Sequence, residues 1–114
     1  MLQTGKDFKR IYAIESERKL LLEAKDNVAM LPMDKRNKIE FYHSLLGDDP
    51  ENLIDEILKD KEVSLIKMDI EGAELAALKG AKKIIERQMP VLAICVYHNR
   101  EDLVEIPHVI NSDY

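Results

Sequence analysis

Cysteine occurs once in these 114 residues, tryptophan not at all, and glycine and proline four times each. The lone Cys95 cannot pair within the chain, which excludes a disulfide-stapled scaffold and points to a reducing, cytoplasmic setting. No apolar run approaches the ~20 residues that a membrane-spanning helix needs, and Met1–Arg10 is no signal peptide. Positive charge is also short: 17 Lys and Arg stand against 22 Asp and Glu, for a net charge of −5. The two signs are interleaved and aromatic residues make up only 5%. Without a basic stripe or an aromatic platform there is no surface for phosphate contacts, so nucleic acid is not an expected partner, and neither is a membrane. Lys79, Lys82, Lys83 and Arg87 stand close together, but their i, i+3/i+4 spacing reads as a solvated helix face.

What is present is the composition of a soluble, helix-rich globular chain, 46% apolar and 34% charged. The length suits one small domain, residues 1–114, that buries roughly two-thirds of its extended surface. Phe8–Glu15 reads as a strand that ends on an acid. Ser16 is placed to cap a helix through Lys25, with Leu20, Leu21 and Leu22 on its buried side. Asn27–Leu31 is a second short strand candidate, and Lys38–His43 alternates like a half-exposed edge strand. After a turn at Leu46–Pro50, Glu51–Asp60 has helical spacing.

The second half is more regular. Val63–Asp69 is a strand that again ends on an acid, and Glu71–Gln88 is a long amphipathic helix. Leu75, Leu78, Ala81, Ile84 and Ile85 form its core stripe, and Gly80 within it suggests close packing on a sheet. Pro90 stops that helix. Val91–Tyr97 is apolar on both faces, as a covered parallel strand would be. Arg100–Ile110 is a last helix, interrupted by Pro107. The alternation implies an α/β fold with parallel crossovers.

In open parallel sheets, ligands bind beyond the carboxyl ends of the strands. Three polar clusters fall there: Glu15-Ser16, Asp69-Ile70-Glu71-Gly72 and Tyr97-His98-Asn99. The stretch Leu65–Ile110 holds Asp-x-Glu-Gly-x-Glu (Asp69, Glu71, Gly72, Glu74) and then a Leu-Lys-Gly-Ala helix. A Pro-led apolar strand, a Tyr-His pair and an acidic-Leu-x-x-Ile-Pro turn follow in order. Together these closely resemble the C-terminal half of FkbM-type methyltransferases, over about 40% of the chain. Phe8–Lys25 resembles the family's second strand and the helix after it, less tightly.

The resemblance implies a Rossmann-like three-layer parallel sheet, truncated to four or five strands. It also implies S-adenosylmethionine as methyl donor and an oxygen of a sugar or other small metabolite as acceptor. Glu15, with Ser16 beside it, matches the acid that accepts hydrogen bonds from the cofactor's ribose; a carboxylate offers two acceptor oxygens to a diol. Asp69 matches the acid at the methyl-transfer face, on the cofactor or catalytic side. Glu71 is a candidate for orienting the acceptor, and His98 for the general base. Each has a plainer reading: Asp69 as a helix cap, Glu71 as a first-turn acid, His98 as a hydrogen-bonded strand end. His43 and His108 receive no role. A divalent cation on Asp69, Glu71 and His98 or Asn99 is a minor reading, and the site assignment contains no metal.

The family's glycine-rich cofactor loop has no counterpart. Glycines stand at positions 5, 47, 72 and 80, no two within five residues. The first strand, that loop and the first helix are therefore expected to be missing, which leaves a gap about 9.6 Å wide between Ile11–Glu15 and Leu65–Asp69. Direct pairing of those two strands, or a second copy covering their edges in a homodimer, is the expected remedy. The alternative to an enzyme is a non-catalytic α/β module that dimerises or binds a partner.

Overall fold

The computed structural model describes residues 8–113. They divide into two compact units, with the boundary between Leu45 and Leu46. Each unit is a parallel two-stranded α/β motif.

The first unit runs β1 (Ile11–Glu15), α1 (Arg18–Ala29), α2 (Met33–Arg36) and β2 (Ile39–His43). β1 pairs with β2 in parallel, in register from Ile11↔Ile39 to Glu15↔His43. Parallel neighbours need a long crossover, and α1 supplies it. Leu21 is buried, and Ala24 and Val28 are half-buried. Their i, i+3, i+7 spacing is one helix stripe, which is why Asn27–Leu31 completes α1 and its C-terminal turn rather than forming a strand. Only Leu21 of the three leucines is buried; Leu20 and Leu22 are 43% and 48% exposed, since they flank the stripe. Ser16 is not the cap either. Glu17 stands at the N-cap position and makes no side-chain cap bond.

The second unit runs α3 (Ile54–Ile57), β3 (Leu65–Met68), α4 (Glu74–Lys79), α5 (Lys82–Gln88), β4 (Val91–Ile94) and α6 (Asp102–Asp113). β3 and β4 pair in parallel, from Leu65↔Val91 to Met68↔Ile94. The core gathers Ile54, Leu58, Met68, Leu78, Ala81, Ile84, Ile85 and Ile106, all buried. Of the expected stripe only Leu75 is half-buried. Val91 is 67% exposed, so β4 has an open face among the described residues rather than two covered ones.

The expected pairing of Ile11–Glu15 with Leu65–Asp69 does not occur. Among the described residues four parallel strands are present, but as two two-stranded sheets, each made of consecutive strands joined by their own helices. The long helix predicted over Glu71–Gln88 is also broken in two. The Gly80 carbonyl, which would accept from the Ile84 N–H, instead accepts from the Asp55 N–H at 2.9 Å. The Asp55 carboxylate in turn takes the Lys83 and Ile84 N–H groups at 2.9 Å each. Tertiary bonds thus replace helical ones at the joint. A Cβ on Gly80 would run into the Gly47 carbonyl oxygen, a backbone atom with little freedom to yield. Nor does Pro107 interrupt the last helix, which runs through it. The bond lost is the one to the Leu103 carbonyl, and Leu103 is 66% exposed, so solvent can take that oxygen. No helix among the described residues is long and apolar enough to cross a membrane.

Candidate active site at the carboxyl ends of two parallel strands

Because β3 and β4 are parallel, the residues that follow them emerge at the same edge. The Cys95 N–H donates to the Met68 carbonyl at 2.9 Å and carries the pairing one step beyond β4. Asp69 then follows β3, and Tyr97 and His98 follow Cys95. Between Asp69 and α4 the backbone turns through left-handed conformations, with φ of 60° at Glu71 and 100° at Gly72. A helix cannot begin there, so α4 starts only at Glu74. A Cβ on Gly72 would lie 3.2 Å from Asn99 Nδ2. That amide nitrogen donates to the Gly72 carbonyl at 2.9 Å and to Asp102 Oδ2 at 3.1 Å, tying the turn to the start of α6.

Glu74 lies at the centre of the arrangement and is fully buried. Its Oε2 accepts from the Ile70 N–H at 2.6 Å and its Oε1 from the Gly72 N–H at 3.1 Å. The first helical turn thus reaches back to hold the loop before it, as an acid does in a capping box. His98 lies between two carboxylates. Nε2 is 3.5 Å from Asp69 Oδ1, and Nδ1 is 3.6 Å from Glu74 Oε2. Both separations exceed a hydrogen bond, and Nδ1 is buried without a hydrogen-bond partner among the described residues. The Tyr97 ring stacks on His98 with centroids 4.2 Å apart, and its hydroxyl donates to Asp69 Oδ1 at 2.8 Å.

That hydrogen bond is the main reason the Tyr97 phenol is pushed up to about 12; desolvation and the negative charge of Asp69 add to it. The Cys95 thiol is also raised, by desolvation first and then by Asp69 and Glu74. Tyr97 therefore stays a donor throughout the neutral range. The sign follows from linkage: a phenol bound more tightly to its proton in the folded chain contributes stability below its unfolded value near 10, and loses it as pH rises towards 12. Ultraviolet titration should show one late tyrosinate that disappears in Tyr97→Phe and moves to lower pH in Asp69→Asn. An unchanged titration in Asp69→Asn would remove Asp69 as the cause.

Of the predicted residues, the structure brings Asp69 and His98 together. Asp69 caps no helix: its carboxylate takes the Tyr97 hydroxyl, and Ala73 stands at the N-cap of α4. Glu71 is exposed on the turn between them, and its charge adds to the Tyr97 shift. Glu15 and Ser16 belong to the first unit, at the carboxyl end of β1. The Ser16 N–H donates to Glu15 Oε2 at 2.9 Å, and His43 Nε2 lies 3.0 Å from the Ser16 carbonyl. Glu74 is named in the sequence only as the last acid of the Asp-x-Glu-Gly-x-Glu signature, with no role of its own. Its signal was the spacing: an acid four residues beyond Ile70 and two beyond a glycine, on the first turn of a core helix. Asp69, Glu74 and His98 each offer a ligand-type atom, all within 4.8 Å of one another. A single ion takes one ring nitrogen, however, whereas here each nitrogen faces its own carboxylate.

The methyltransferase FkbM domain matches residues 48–112, more than half of the chain. The chain belongs to the FkbM methyltransferase family. A crystal structure of methyltransferase FkbM from Methylobacillus flagellatus KT is similar to it, at 33% identity and a TM-score of 0.84. That likeness covers 93% of this chain, so it extends into the segment before residue 48. The chain spans 31% of the length of that relative. No match is found among curated proteins. Within this FkbM chain, the Asp69–Gly72 turn and the Tyr97-His98-Asn99 segment are the parts whose side chains converge.

Proposed function

We propose that the protein serves S-adenosylmethionine-dependent methyl transfer to a hydroxyl oxygen of a small molecule or sugar. The observation that carries the reading is the convergence of Asp69, Tyr97 and His98 at the carboxyl ends of β3 and β4 in an FkbM methyltransferase chain. The donor set suits the cofactor in part. The exposed carboxylate of Asp69 is a fitting neighbour for a sulfonium. No closely spaced glycines are present to cradle the methionine end.

When bound, S-adenosylmethionine supplies an electrophilic methyl group on a sulfur that leaves as a neutral thioether. His98 receives the acceptor's hydroxyl proton at Nε2, since its other nitrogen is buried. Asp69 lies 3.5 Å from that nitrogen and stabilises the imidazolium that results. Tyr97 holds Asp69 in place through its hydroxyl and packs its ring against the imidazole. Glu71 projects from the same turn and orients the acceptor.

Nuclear magnetic resonance on the chain tests this. Millimolar S-adenosylmethionine or S-adenosylhomocysteine should perturb Asp69–Gly72 and Tyr97–Asn99. Binding is expected to be far weaker than micromolar, because two or three missing charge-assisted hydrogen bonds at ~1.5–3 kcal/mol each lower affinity by several powers of ten. Absence of any perturbation at those residues would overturn the reading in favour of a non-catalytic module.

A further inference from the structure

We infer that Glu74 is the positioning residue for His98: it fixes the proton of the neutral ring on Nδ1 and so leaves Nε2 open to accept one. Glu74 is fully buried, and each of its oxygens already accepts one backbone N–H, so its charge is held in place and cannot turn away. Its Oε2 is 3.6 Å from Nδ1, a nitrogen that is itself buried and has no other partner. A ring nitrogen facing a carboxylate is stable there as an N–H donor and not as a lone pair, because two acceptors repel. The neutral ring therefore carries its hydrogen on Nδ1.

The second proton then arrives at Nε2, which faces Asp69 Oδ1 at 3.5 Å. The three titratable groups about the ring act in one direction or not at all. Glu74 and Asp69 are acceptors, and Tyr97, stacked on the ring, directs its hydroxyl to Asp69. An imidazolium would present one N–H to each carboxylate. The same two bonds from Ile70 and Gly72 that hold Glu74 also shape the left-handed turn at Glu71 and Gly72. One buried carboxylate thus aligns both sides of the site.

This role rests on His98 being the base, but its first test uses no cofactor or acceptor and so fails separately from that reading. Nitrogen-15 spectra of the His98 ring, taken at a pH where it is neutral, are expected to show the hydrogen on Nδ1. A ring protonated on Nε2 overturns the proposal. In Glu74→Gln the Nδ1–H form should lose population. If Glu74 served only as a clamp on the loop, Glu74→Gln would shift the Ile70 and Gly72 amide resonances and leave the His98 tautomer as it was. That outcome also overturns it. Should Glu74→Gln fail to fold, the tautomer of the parent chain still decides.

Discussion

Replacing Asp55 with alanine is expected to destabilise the second unit by about 3 kcal/mol, more than an ordinary surface cap would. The reason is that Asp55 caps a helix from another element. α5 begins after Ala81, which provides no side-chain acceptor, and its second and third N–H groups point to Asp55 Oδ2 and Oδ1 at 2.9 Å. Removing the carboxylate leaves two donors without acceptors, one of them in a fully buried residue. The N-terminal dipole of α5 also loses its negative charge. Urea unfolding should show a midpoint lower by roughly 1–3 M, for a slope of about 1–3 kcal/mol/M. Asp55→Asn keeps one acceptor and should lose about half as much. The exposed Asp60, changed to alanine, should move stability by less than about 0.5 kcal/mol. If Asp55→Ala and Asp60→Ala behaved alike, the joint between α4 and α5 would have to be held by packing alone.

Asp55 also shows where reading the sequence stops. Helical spacing from Leu75 to Ile85 placed the core stripe correctly, because burial follows periodicity and periodicity is local. The break at Gly80 and Ala81 was not local. It depends on a carboxylate 25 residues earlier, whose partners are backbone N–H groups that no side-chain pattern reveals. Strand pairing divides in the same way. Ile11–Glu15, Ile39–His43, Leu65–Met68 and Val91–Ile94 could all be recognised as strands from their composition. Which strands pair is decided by the crossovers between them, and the chain joins β1 to β2 and β3 to β4.

The candidate site was legible to a similar depth. Parallel strands send the residues after them to one edge, so Asp69 and His98 could be listed together before any coordinates. The burial of Glu74 could not be read from the signature that contains it, since an acid on the first turn of a helix is ordinarily solvated. Here the left-handed residues Glu71 and Gly72 fold the loop back over it, and two backbone N–H groups replace water around the charge. A buried carboxylate without such donors would be severely destabilising.

The second large effect concerns the proposed reaction. His98→Gln is expected to slow methyl transfer roughly 10²–10⁴-fold, the range that a positioned general base contributes, or about 2.7–5.5 kcal/mol of barrier. Glutamine can still hydrogen-bond to an acceptor hydroxyl but cannot take its proton near neutral pH. The loss should therefore appear in the single-turnover rate with S-adenosylmethionine in excess, and not in cofactor binding. The pH dependence separates this from simple damage. A base must be unprotonated to act, so the parent rate should fall as the medium becomes acidic enough to charge His98. In His98→Gln that acid limb should vanish, leaving a slow rate whose remaining pH dependence is the hydroxyl's own. Tyr97→Phe keeps the base and its stacking ring while removing only the bond to Asp69, so its loss should be much smaller and its acid limb should persist. A His98→Gln chain that transferred methyl groups at the parent rate would mean that the proton leaves by another route. Asp69 and Glu71 would then be the remaining acceptors at this edge, and the Glu74–His98 pair would be structural.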